Sequence, residues 1–347
     1  MERRARLVVA GFLVIAALVS INLLVPLFFV GRFRPDFTPM WVGARAPDPY
    51  DLWAVTKAQA FMFDASKPLP FLYPPSSLPL FYPFGLLPFW LAYAVWTALS
   101  VALFWGAARQ VTDRAWISFV APPVVYSLYI GQTALATGAA IMFAVVQLPR
   151  RPLLAGICFG LAAAVKPQTV LLAPFAMIVG KHWKAFAAAA AAWLLLALPT
   201  ATYWLDWWRV VQSFPAILDR YYPYIGTYGA TPVAFAKALH LPPAPFQIAG
   251  VASGLAVVWA SFRSDDVPTR IIGLVTGTLL ALPYAMAYEI AAMVPAYFAV
   301  LHTSRVRGAI VALPMLFTNV LAIILALMAS TIATVGATTS ERSPLVR

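Results

Sequence analysis

The side chains able to do chemistry here are few, and they sit where long apolar runs break. Lys166 follows Val165 at the end of an apolar stretch and precedes Pro167, which ends or kinks a helix. A cation set in hydrocarbon costs about 2.5–3.5 kcal/mol on insertion scales. Lys166 therefore either snorkels to an interface or meets an anion, for which a phosphate is a fitting partner. Asp36 comes just after Arg32 and Arg34. It reads either as half of a surface ion pair or as a general base, since a carboxylate within hydrogen-bond reach can take the proton an alcohol sheds as it attacks. Glu289, beside Tyr288, stands in the apolar stretch 281–294 and must face protein or water rather than lipid. Gln132 after Gly131, and Gln168 after Pro167, mark two further breaks that are either plain turns or parts of the same polar set. Tyr73-Pro74-Pro75 is either a stiff lead-in to a helix or another member of that set. Arg220, Tyr221 and Tyr222, with Tyr224 and Tyr228, suit an aromatic belt at lipid headgroups. His182, His240 and His302 are scattered without metal-ligand spacing, and the single Cys158 excludes a disulfide or a Cys-rich metal site. No Gly-rich phosphate loop or Ser-His-Asp set is visible, so neither a metal nor a cofactor is expected.

The elements that must carry these residues follow from composition. Of 347 residues, 62 % are hydrophobic and 10 % charged, against roughly 45–50 % and about 25 % in soluble proteins. That excludes a soluble enzyme, a disordered tail and a nucleic-acid binder, despite the net charge of +12. The fold class is an all-α polytopic membrane protein forming one domain over residues 1–347. Its 30 prolines require many helices to be short, broken or kinked.

Arg3, Arg4 and Arg6 precede an apolar run at 7–30, longer than the 7–15-residue core of a signal peptide. This predicts an uncleaved first span with a cytoplasmic N-terminus. Short basic loops at 109–114, 149–152, 181–184, 263–270 and 304–307 belong on the same side. The hairpins between them then turn outward at Gly131-Gln132, at Lys166-Pro167-Gln168 and near 284–289. A first outer loop covers 31–87, with surface helices at 50–63 and 73–87, and a second large outer loop covers 206–243. The second span runs over 88–108 and the last over 308–330, for about eleven crossings with the C-terminus outside. Asp36, Arg45, Gln132, Lys166, Gln168, Arg220 and Glu289 thus all fall at the outer side, as a site at the membrane–water boundary would require.

These residues, in this order, resemble the polyprenol-phosphate-sugar-dependent glycosyltransferases of family 87, within the GT-C superfamily. The likeness rests on Asp36-Phe37, on Arg45-Ala46 with Asp48-Pro49-Tyr50, and on Tyr73-Pro74-Pro75. It continues through Gly131-Gln132, then Leu153 to Gly156, and reaches Lys166-Pro167-Gln168. The resemblance implies a GT-C-like bundle with juxtamembrane helices in the first outer loop, in a bacterial inner membrane. It also implies an enzyme that moves a hexose, typically mannose, from a polyprenyl-phosphate carrier to an acceptor hydroxyl of a lipid or glycan at the periplasmic face. Asp36 matches the catalytic aspartate of the first outer loop. In the site so implied, Lys166 and Arg220, with Arg45, hold the departing phosphate. Gln132, Gln168, Tyr73, Tyr288 and Glu289 line the sugar and acceptor pocket. Where family members often carry a histidine and an aspartate, this chain has Tyr284 and Glu289.

Two other classes compete. A lipid or oligosaccharide transporter or flippase would want mid-depth charges and paired repeats with broken helices, whereas these polar residues cluster at one face and no duplication is evident. A catalytically silent membrane partner in envelope assembly would tolerate loss of Asp36 without loss of sugar transfer.

Overall fold

A computed structural model describes residues 35–222 and 229–303. The expected first and last spans, together with Arg32, Arg34, Tyr224 and Tyr228, lie outside the described residues. Within them the chain is helical, apart from loops and one isolated antiparallel bridge between Gly229 and Met286.

The stretch expected as a first outer loop holds three short helices: α1 (Phe37–Gly43), α2 (Leu52–Ala58) and α3 (Leu78–Gly85). Two of these, α2 and α3, fall within the stretches 50–63 and 73–87 where surface helices were expected, and both are shorter than expected. Asp51 starts α2 by accepting hydrogen bonds from the amides of Trp53 and Ala54 at 3.0 Å, which satisfies donors that a helix start leaves open. Next comes α4 (Phe89–Ala108), where the second span was expected. It is apolar all round, as a membrane helix should be. Ala92, Trp96, Ser100 and Phe104 are buried, while Leu91, Val95, Leu99 and Leu103 are exposed one residue round the helix.

The hairpin pattern then repeats. Helices α5 (Pro122–Ile130) and α6 (Ala134–Gln147) flank Gly131-Gln132. Helix α7 (Pro152–Val165) ends at Lys166, and α8 (Ala173–Val179) leads away. Helix α9 (Trp183–Ala197) returns and continues through a 3-10 turn, Leu198–Tyr203, into α10 (Trp204–Tyr221). After α11 (Pro232–Ala238), the long pair α12 (Pro243–Phe262) and α13 (Val267–Ala281) precedes a 3-10 segment, Ala287–Met293, and α14 (Val294–Thr303).

Among the described residues, three helical stretches are long and apolar enough to cross a membrane: Phe89–Ala108, Trp183–Tyr221 and Pro243–Phe262. Five shorter apolar helices accompany them. Part of the stretch expected as a second outer loop is helical: Trp204–Tyr221 forms α10, whose polar content hides an amphipathic pattern. Val210 and Ile217 are buried seven residues apart, whereas Trp208 and Arg209 are exposed, a pattern suited to lying in an interface. The prolines mostly open helices rather than bend them. Pro122, Pro152, Pro232 and Pro243 stand at helix starts, where a missing N–H costs nothing. Pro83 and Pro215 fall inside helices.

Small residues bring the helices into close contact. Gly156 and Gly160 of α7 face α9, and a Cβ on them would lie 2.2 Å from the Ala185 carbonyl oxygen and 2.6 Å from that of Ala189. Gly254 of α12 meets Gly277 of α13 in the same way, at 2.3 Å. Such small-xxx-small pairs let membrane helices pack where lipid offers no hydrophobic drive. The expected result for Gly156→Leu is therefore a loss of about 1–3 kcal/mol through overpacking. It should appear as a lower thermal midpoint of the detergent-solubilised protein, with Leu153→Ala on the exposed face of α7 as a control that leaves the midpoint unchanged.

Candidate active site

The turns at Gly131-Gln132 and Lys166-Pro167 and the segment around Tyr284 to Tyr288 converge on one cavity. Asp36 stands at the N-cap position of α1 with its side chain making no capping bond, and its position is set by its neighbour Phe37, which is fully buried. Phe37 packs among Phe84, Phe89, Tyr93 and Trp96, with ring centroids between 5.9 and 6.3 Å apart. The same aromatic group receives the α5–α6 turn. Trp96 Nε1 donates to the Gly131 carbonyl at 2.9 Å, and the Tyr93 hydroxyl donates to the Tyr129 carbonyl at 2.8 Å. Gly131 has φ 66°, and a Cβ there would come within 2.6 Å of the Tyr93 ring. Only glycine suits both the left-handed conformation and the close approach. Gln132 is thereby placed opposite Asp36, and its Nε2 donates to Asp36 Oδ2 at 2.9 Å and to the Tyr288 hydroxyl at 3.1 Å. Its Oε1 accepts from the Tyr73 hydroxyl at 2.8 Å and from the Thr133 amide at 2.9 Å.

Tyr73 is held by an extended segment fastened from three sides. The Tyr50 hydroxyl donates to the Tyr73 carbonyl at 2.8 Å, and Trp207 Nε1 of α10 donates to the Leu72 carbonyl at 3.0 Å. Ser76 Oγ donates to the Ala164 carbonyl at 2.9 Å, near the end of α7. There Pro167 stops the helix, and Lys166 leaves helical geometry with φ −152° and ψ 78°. The Lys166 ammonium forms an ion pair with Glu289 and lies 5.1 Å from the centroid of the Tyr288 ring. Its side chain is 12 % exposed and that of Glu289 is 8 %. Lys166 does not snorkel to water, because a buried carboxylate neutralises it. Glu289 in turn faces protein, as expected of an acid in an apolar run.

The cavity has a volume of about 220 Å³, and Asp36, Tyr73, Gln132, Lys166, Gln168 and Tyr288 all line it. Phe214 and Leu218 of α10, with Tyr222 just past its end, form another part of its wall. A smaller cavity of about 40 Å³ shares Lys166, Gln168, Tyr284 and Tyr288 with it and also contacts Glu289. An apolar groove of about 560 Å³ runs along α3, α4, α6 and α7, and Val165 lines both the groove and the main cavity. Burial pushes the Asp36 carboxyl up to about 6, with the Lys166 charge and the Gln132 hydrogen bond pulling the other way. A carboxylate so poised loses its proton near neutrality and can then accept one.

Six of the nine expected site residues line this cavity, and Glu289 stands behind Lys166 as its counter-ion. The two arginines are not among the lining residues. Arg45 Nη1 donates to the Gly85 carbonyl at 2.7 Å, and its guanidinium stacks on Trp41 at 4.6 Å. It supplies a donor to the carbonyl end of α3, which needs one. Arg220 is exposed in the last turn of α10, with its guanidinium 5.3 Å from the Tyr221 ring centroid, a favourable place for a cation near a helix C-terminus. Sequence reasoning missed the wall from α10, although residues 214, 218 and 222 follow an i, i+4 spacing that would have shown it.

A protein that is helical over its described residues, with apolar helices long enough to cross a membrane and with turns that gather an acid, a lysine and several tyrosines at one cavity, has the general form of a membrane enzyme. The sequence profile of glycosyltransferase family 87 matches residues 71–283, and the chain belongs to that family. It is a membrane glycosyltransferase, with a sugar donor and an acceptor as its substrates. The matched region includes Tyr73, Gln132, Lys166 and Gln168; Asp36 precedes it and Glu289 follows it. No curated protein and no solved structure matches the chain.

Proposed function

We propose that this enzyme moves a hexose, mannose in the first instance, from a polyprenyl-phosphate carrier to an acceptor hydroxyl on a lipid or glycan at the periplasmic face of a bacterial inner membrane. The bundle is GT-C-like, with about eleven spans and a cytoplasmic N-terminus. The observation carrying this reading is that Asp36 and Lys166 face one cavity, which meets an apolar groove at Val165. A lipid-linked phosphate fits that junction, its chain along the groove and its charge against Lys166.

In the reaction, the acceptor oxygen attacks the anomeric carbon while Asp36 takes the hydroxyl proton. The new bond between oxygen and the anomeric carbon forms as the bond from that carbon to the phosphate oxygen breaks. Polyprenyl phosphate leaves with the electron pair, and the transition state has oxocarbenium character. Lys166 offsets charge developing on the leaving phosphate, which a fixed cation does best in a water-poor site. Attack opposite the leaving group inverts the anomeric centre, so a β-linked donor gives an α-linked product. The test is incubation of the purified protein in nanodiscs with polyprenyl-phosphate mannose and a delipidated or lipid acceptor extract, read by mass spectrometry. No new mannosylated species with any acceptor fraction, from protein that is folded, would count against the reading.

A pH dependence follows. Because the base works only when ionised, transfer is expected to fall below pH about 6, approaching tenfold per unit on the acid side. The acid limb should be missing from any residual activity of an Asp36 variant.

A further inference from the structure

We infer that Gln132 is a positioning residue, whose amide holds the Asp36 carboxylate at the cavity and turns the Tyr288 hydroxyl hydrogen toward the bound donor. This rests on the reading of Asp36 as the base.

The orientation of the amide is fixed by partners that cannot change roles. The Thr133 amide can only donate, so Oε1 faces it at 2.9 Å. An ionised Asp36 can only accept, so Nε2 faces it at 2.9 Å. Both hydrogens on Nε2 are then committed, one to Asp36 and one to Tyr288. The oxygen accepts from the Tyr73 hydroxyl and from the amide and hydroxyl of Thr133. An amide has two hydrogens and two lone pairs to offer, and all are in use. Gln132 therefore has nothing left for a sugar hydroxyl, in contrast to its expected role as a pocket-lining ligand.

The consequence falls on the two tyrosines. Tyr288 receives a hydrogen from Gln132, so its own hydrogen is given elsewhere, and its side chain lines the cavity beside Lys166. Tyr73 spends its hydrogen on Gln132, and with the Thr133 hydroxyl at its oxygen it keeps one lone pair to offer. One amide thus gives the cavity a donor and an acceptor of fixed polarity. A phosphodiester presents only acceptor oxygens, so it takes the Tyr288 hydrogen next to the lysine, while a sugar hydroxyl can donate to Tyr73.

The groups facing Asp36 are Lys166 from the end of α7, Tyr73 from the outer loop, and Tyr284 and Tyr288 from the segment after α13, with Glu289 paired to Lys166. Gln132→Met leaves all of them in place and removes one hydrogen bond to the ionised form. The test is carbodiimide labelling of Asp36 across pH in nanodisc-embedded protein, read by mass spectrometry. Only the protonated carboxyl reacts, so the label reports ionisation without any transfer reaction. The Gln132→Met midpoint is expected to move up by about one unit. Tyr288→Phe should leave that midpoint in place and raise the KM for polyprenyl-phosphate mannose about tenfold, with a smaller change in kcat. An unmoved midpoint in Gln132→Met, or an unchanged KM in Tyr288→Phe, overturns the inference. Should Gln132→Met fail to purify as folded protein, the Tyr288→Phe result decides alone. Full transfer by Asp36→Asn would instead strike the reading of the base, and would leave the labelling midpoints standing as they are.

Discussion

Asp36→Asn is expected to lower kcat by about 10²- to 10⁴-fold, the range that general bases contribute, while the protein still inserts and purifies normally. The substitution keeps the shape of the side chain and removes only its ability to take a proton. Phe37, which anchors this stretch through its aromatic neighbours, is untouched, so a structural collapse is not expected. The check is a rate measurement with polyprenyl-phosphate mannose at a pH well above 6, together with a thermal midpoint. Wild-type turnover in the variant would remove Asp36 from the chemistry and return the acid to the ion-pair reading.

The second large effect is at Lys166. Removing the cation by Lys166→Met strands Glu289 in a buried place, and breaking a buried pair from one side costs about 3–5 kcal/mol. The single variant should therefore lose both stability and donor binding. Lys166→Met combined with Glu289→Gln separates these losses. The double variant should regain most of the thermal midpoint, because Glu289 is no longer a stranded charge and Asp36 keeps its hydrogen bond from Gln132. Its KM for the donor should stay raised, because the phosphate still lacks its cation. Recovery of donor affinity along with stability would mean that Lys166 serves only to neutralise Glu289.

Much of the frame was legible from hydropathy and charge alone. The second span was expected at 88–108 and forms at Phe89–Ala108. The turns at Gly131-Gln132 and Lys166-Pro167 fall where a left-handed glycine and a proline leave the backbone little choice. Those are local effects, written in single residues. What could not be read was pairing across long sequence distances. Nothing local tells that Glu289 would meet Lys166, 123 residues away, or that Arg45 would donate to the Gly85 carbonyl. Placing a basic residue on the right side of the membrane says nothing about which acceptor its side chain finds. The glycines of α7, α12 and α13 carried a readable message, since Gly156 and Gly160, Gly250 and Gly254, and Gly273 and Gly277 all repeat at four residues. Their spacing announces close helix pairs without naming the partners.

The apolar groove is flanked by Leu99 and Leu103, both exposed on the outside of α4. For the lipid-linked donor proposed above, arrival along this groove needs no departure from its leaflet, so encounter becomes a two-dimensional diffusion problem. Turnover at low donor would then follow the mole fraction of carrier among neighbouring lipids, whatever the volume of the surrounding water, and spent carrier could glide off along the route by which it came.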